Sequence, residues 1–103
     1  MYRLTVLYGH PEDPADFDAY YEDTHIPIAR KMQGLVGWTI GKCESADPSE
    51  NAPYYLVVNL LTETAADMER MLKSPEGRAT LEDVPNFATG GVCFMFSEDQ
   101  VMV

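Results

Sequence analysis

Basic side chains are scarce in this chain. Seven lysines and arginines stand against seventeen aspartates and glutamates, a formal charge of −10. So acidic a protein is not drawn to phosphate, which argues against nucleic acid and anionic membrane surfaces as partners. The acids are dispersed and read as solvated surface. Cysteine is scarcer still. Cys43 and Cys93, fifty residues apart, form no disulfide framework and point to a reducing, cytoplasmic setting. No apolar run nears the ~20 residues needed to cross a bilayer. Met1–Tyr8 is too short and alternates too cleanly for a secretory leader. P-loop, Gly-x-Gly-x-x-Gly and paired metal-ligand spacings are missing, so no metal and no nucleotide cofactor is expected.

What the chain does have is one well-marked stretch, Asp13–Pro27. Asp13 suits a helix N-cap, Pro14 the first helical position, and Asp16 the positive end of the helix dipole. At about 100° per residue, Phe17, Tyr21, Thr24 and Ile28 share one narrow sector. Tyr20 flanks it on one side. His25 flanks it on the other, about 80° round from Phe17. Pro27 has no N–H, and its ring crowds the carbonyl four residues back. Ile26 before it is biased away from helical angles. A kink or break at Ile26 is therefore expected, with the chain resuming as a short turn through Ile28–Met32.

The remaining elements follow from alternation and caps. Tyr2–Tyr8 reads as a strand, Gly9–Glu12 as a turn carrying an exposed His10, and Gly34 as a helix stop. Leu35–Cys43 is a second strand, with Val36, Trp38 and Ile40 on one face and two glycines on the other. Glu44–Pro53 is a loop. Tyr54–Leu61 is a third strand, apolar on both faces. Thr64 opens a helix through Lys73, and Ser74-Pro75 opens another toward Val84. Pro85–Gly91 is a loop and Val92–Ser97 the last strand. The order βαββαβ in a single domain, residues 1–103, predicts an α+β, ferredoxin-like four-stranded antiparallel sheet with both helices on one face. A bare, two-sided apolar sheet calls for a cover, and a second copy of the chain is the simplest one: Tyr55, Val57 and Leu61, or their alternating neighbours, should face it. The second and fourth strands would form the edges, roughly 14 Å apart at ~4.8 Å per strand, too far for Cys43 and Cys93 to pair.

Several of these residues recur together in a known family. Asp13-Pro14-Ala15-Asp16-Phe17, Tyr21-x3-His25-x-Pro27, Gly34-Leu35, Ser74-Pro75-Glu76-Gly77 and Asn86-Phe87 resemble the EthD family over nearly the whole chain up to about Ser97. Gln33 departs from the pattern, which commonly has proline before Gly-Leu. The resemblance implies a dimeric α+β barrel, two ferredoxin-like subunits packed sheet to sheet. Relatives in that superfamily include small monooxygenases, polyketide cyclases, muconolactone isomerases and haem-binding proteins.

The chemistry-bearing residues are few. Phe17, Tyr21, Trp38, Phe87 and Phe94 with several methionines can line an apolar pocket, or can simply form a core. His25 at the pocket's mouth can serve as general acid or base, or as a helix cap. Tyr21, one turn back, can orient His25 or bind a ligand oxygen, and Asn86 can donate to a carbonyl. The expected ligand is a small hydrophobic, oxygen-bearing molecule. One reading is an enzyme working by proton transfer or by cofactor-free oxidation. The other is a non-catalytic binding or accessory protein. His25 as an axial haem ligand is a third, weaker reading.

Overall fold

The computed structural model describes residues Met1–Val103. Its elements run β1 (Tyr2–Tyr8), α1 (Pro14–Tyr20), a π-helical turn (Tyr21–His25), α2 (Ile26–Ala29), β2 (Gly37–Lys42), β3 (Leu56–Thr62), α3 (Ala65–Lys73), α4 (Pro75–Asp83), a 3₁₀ turn (Val84–Asn86) and β4 (Val92–Glu98). The strands form one sheet in the order β2-β3-β1-β4, each pair antiparallel. This is the expected ferredoxin-like α+β architecture. No helix is long and apolar enough to cross a membrane.

Alternation fixes which side of the sheet is covered. Leu4, Val6 and Tyr8 of β1 and Leu56, Val58, Leu60 and Thr62 of β3 are all buried. Val6 lies opposite Val58 on one side and Phe94 on the other, so these residues share one face. The helices close over it with Phe17, Tyr21, Ala29, Met32, Met68, Met71, Val84 and Phe87. Three caps set the helix starts. Asp13 Oδ1 accepts from the Ala15 and Asp16 N–H groups, Thr64 Oγ1 from that of Asp67, and Ser74 Oγ from that of Gly77. Gly34 follows the α1–α2 arm with φ +107°, where a Cβ would be strained.

The opposite face has no cover within the chain. Thr5, Leu7, Val57, Asn59 and Leu61 are half-buried there, and Met95 is exposed. Tyr55 does not join them. Its ring meets Phe17 edge-on at 5.3 Å and its hydroxyl donates to Asp18 Oδ1 at 2.7 Å, so it belongs to the helical side. β2 and β4 are the edges, and Cys43 and Cys93 are both free thiols. Phe94 and Phe96 point to the helical side but are 43% and 53% exposed, because the helices do not reach over the β4 edge.

Candidate functional site

Of the kink or break expected at Ile26, the break does not occur: helical hydrogen bonding continues, and the irregularity is the π turn that ends at His25. Ile26 has ordinary helical angles, φ −57° and ψ −46°, and its N–H reaches the carbonyl of Tyr21, five residues back. The π turn is the physical reason. It takes one extra residue into the hydrogen-bonded ring, so Pro27 falls in the first turn of a fresh α segment, where a missing N–H costs nothing. The wider turn also advances the chain less per residue. The buried positions become Phe17, Tyr21, His25 and Ala29, four apart throughout, while Thr24 and Ile28 move to the flank. His25 is thereby brought into the stripe. It is only 4% exposed, inside the core rather than at a mouth.

A carboxylate meets it there. α4 buries Gly77, Thr80 and Asp83, three apart on its inner side. A Cβ on Gly77 would run into the Met71 carbonyl, so α4 lies tight against the end of α3. His25 Nδ1 stands 2.9 Å from Asp83 Oδ2, with both side chains buried. The other oxygen, Oδ1, accepts from the Tyr20 hydroxyl at 2.6 Å and from Asn86 Nδ2 at 3.0 Å. The 3₁₀ turn after α4 is what folds Asn86 back onto the preceding acid. Phe87, immediately after that turn, packs its ring 4.6 Å from the imidazole, and Tyr21 packs at 5.2 Å.

The electrostatics follow from these contacts. Burial pushes the Asp83 carboxyl up, but the hydrogen bonds from Tyr20, Asn86 and His25 together outweigh it and hold it below the usual carboxylate range. Burial pushes His25 down, and the Asp83 charge only partly restores it, so the imidazole is neutral at pH 7. A neutral imidazole with Nδ1–H donated to a carboxylate carries its lone pair on Nε2. The hydrogen bond to Asp83 raises the Tyr20 hydroxyl pKa, with burial adding to it. Burial raises Tyr21 and Tyr8, which therefore stay protonated.

His25 lines an interior cavity of about 30 Å³ between helices and sheet. As it stands that holds one or two waters, so any larger occupant must part the lining. Thirteen of its fifteen lining residues are hydrophobic, so an occupant must be largely apolar. Leu81 and Phe94 belong to the lining yet are 37% and 43% exposed, which puts the way in between α4 and β4. A porphyrin has no room here. Of the residues expected at one pocket, His25, Tyr21 and Trp38 line this cavity together. Phe17 and Phe87 form the aromatic cluster behind it, with Tyr8 and Tyr21. Asn86 binds Asp83 and faces a separate outer cleft beside Tyr20, Phe17, Phe87 and three acids. Sequence reasoning missed Asp83 altogether. The available signal was the series Gly77, Thr80, Asp83, which puts an acid in line with small residues on a helix face.

Known proteins resemble this chain throughout its length. Residues 9–91 match the family model for the EthD domain. An uncharacterized 11.0 kDa protein of Rhodococcus erythropolis, from the thcB–thcC intergenic region, is 37% identical over 103 residues, spanning all of this chain and 99% of the relative. The crystal structure of an EthD family protein of Bacillus halodurans superposes with a TM-score of 0.90 at 28% identity, over 97% of this chain and 99% of that one. A dimeric protein of ferredoxin-like fold from Bacteroides fragilis shares the fold alone, with a TM-score of 0.64 at 12% identity over 95% of each chain.

Proposed function

This chain belongs to the EthD family, and we propose that within it the chain is a cytoplasmic, cofactor-free acid–base catalyst acting on a small apolar, oxygen-bearing molecule. The observation that carries this reading is the buried His25–Asp83 pair at 2.9 Å on the wall of an apolar cavity. Asp83 fixes the tautomer and steadies the imidazolium, and Nε2 takes a proton from the ligand. Asp83 is thus a positioning residue. Tyr20 and Asn86 hold Asp83 in turn, which leaves His25 a single orientation.

A ligand enters by displacing Leu81 and Phe94, side-chain motions that are fast on the scale of turnover. Tyr21 and Trp38 are its neighbours on the wall, with Phe17 and Phe87 behind. Asn86 acts at one remove, through Asp83. The apolar lining, thirteen residues of fifteen, also supports a second reading, a ligand-binding or accessory protein that captures such molecules without turnover.

Both readings work within a two-fold dimer through the uncovered face, on which Val57, Leu61 and Met95 present apolar surface. The dimeric Bacteroides fragilis protein supports that assembly. Sedimentation as a monomer at micromolar concentration would sink the dimer. A thermal-shift screen of small ketones, lactones and ethers against wild type and His25→Ala tests the site. Stabilisation of wild type that is lost in the variant supports it. Equal stabilisation of both, with a lower melting point for the variant, would show His25 to be structural.

A further inference from the structure

One buried side-chain nitrogen or oxygen in this chain has no hydrogen-bond partner, the indole Nε1–H of Trp38. Such orphans are rare and call for an explanation. Trp38 lines the same cavity as His25. It stands on β2 opposite Leu60, another lining residue, so it belongs to the sheet-side wall while His25 belongs to the helical arm, and it also borders a second cleft with Ile26, Arg30 and Ile40. The Arg30 guanidinium lies 5.5 Å from the indole centroid and holds the ring in place. The chain as folded thus offers one apolar space with a base on one wall and an unpaired neutral donor on the other.

We infer that the Trp38 N–H is the anchor for a ligand carbonyl oxygen, and that the ligand is an uncharged apolar ketone whose α-carbon hydrogen His25 removes. The inference rests on the acid–base reading of His25. An indole N–H only donates, so the ligand atom it meets must be an acceptor. Asp83, the net charge and the apolar lining all disfavour a carboxylate or phosphate ligand. A carbonyl places an acceptor oxygen and an acidic C–H one carbon apart, which lets one small molecule satisfy both walls. In the step itself the α-C–H bond breaks and an Nε2–H bond forms. The electron pair moves onto oxygen as an enolate, toward which the Trp38 N–H points its positive end. Return of the proton to carbon completes an exchange or an isomerisation with no oxidant or reductant.

The chain has a single tryptophan, so its indole N–H gives one ¹H–¹⁵N resonance. Cyclohexanone and its hydrocarbon, cyclohexane, are the probes. The ketone should move that resonance downfield and the hydrocarbon should not. Trp38→Phe removes the N–H together with the pyrrole ring, and cyclohexane reports the effect of the added space: the variant should weaken cyclohexanone about tenfold relative to cyclohexane, one hydrogen bond's worth. Equal affinity of wild type and Trp38→Phe for the ketone, or absence of any ketone binding, would overturn the inference. α-Hydrogen exchange of cyclohexanone in D₂O separates the two layers of the argument. Exchange that needs His25 but not Trp38 keeps the base and discards the anchor. Trp38-dependent binding with no exchange keeps the anchor and discards the base.

Discussion

Asp83 and Asp18 are held in nearly the same way and do different things. Asp83 accepts from Tyr20, Asn86 and His25 at 2.6, 3.0 and 2.9 Å. Asp18 accepts from Tyr55 at 2.7 Å and from Lys42 at 2.8 Å to each oxygen. Both carboxyls sit below their ordinary range, Asp18 chiefly through the Lys42 hydrogen bond. What differs is water. The Asp83 and His25 side chains are 8% and 5% exposed, those of Asp18 and Lys42 45% and 53%. Exposure screens the second cluster into a clasp that ties Tyr55 and the end of β2 to α1. Burial makes the first cluster a charge that cannot be relaxed by solvent, and so one able to fix a proton's position.

The largest effect expected from this contrast is kinetic. On a ketone that the cavity accepts, His25→Ala should slow turnover by about 10²–10⁴-fold, whereas Lys42→Ala should leave it unchanged. A rate assay on the two variants would break the comparison if they fell together. Next comes stability. Asp83→Ala strands the buried His25 N–H, while Tyr20 and Asn86 can turn to water, and should cost about 1–3 kcal/mol. Asp18→Ala leaves its partners to water and should cost under about 1 kcal/mol. Urea denaturation of both measures the difference, and equal losses would mean that burial is not what separates them.

Acid sharpens the comparison further. Unfolded, His25 binds its proton near pH 6.5 and Asp83 near 3.9. Folded, each does so only at lower pH. Between folded and unfolded values the unfolded chain holds more protons, so falling pH favours unfolding. The His25 contribution is complete above about pH 6.5 and is lost as pH drops through its folded value. The Asp83 contribution is complete above about 3.9 and is lost below it. The melting temperature should therefore begin to fall as pH drops below 6.5, and His25→Gln should flatten that upper part of the curve. Smallest is the clasp itself. A double-mutant cycle on Asp18 and Lys42 should give about 0.2–1 kcal/mol of coupling that shrinks with added salt. Salt-independent coupling would contradict its exposure.

Much of the fold is legible in the chain because its signals are local. Alternation places β1 and β4, caps at Asp13, Thr64 and Ser74 start the helices, and Gly34 stops one. The side on which Tyr55 lies is less legible, since Phe17 and Asp18 of a distant helix recruit its side chain. At the site, His25, Tyr21 and Trp38 are readable as candidates because aromatic rings and imidazole stand out by type. Asp83 is not. It is 58 residues from His25, and in a chain with seventeen acids nothing but its helical phase marks it as interior. The unbroken helix at Ile26 was hidden too, because propensity rules treat proline as a stop and do not anticipate a turn that absorbs it.

That turn makes the arm behave like a screw with one thread slipped. Residues on either side of the slip stay aligned, as they would if one residue had been inserted into a regular helix and the remainder left in phase. Shortening Tyr21–His25 by one residue would therefore leave the imidazole on the same side of the screw. Replacing Pro27 by alanine would do the opposite. With an N–H restored at that position the threads can mesh again, and His25 would rotate about 80° away from the Phe17 line. An exposed proline two residues on thus bears on the angular address of a buried imidazole.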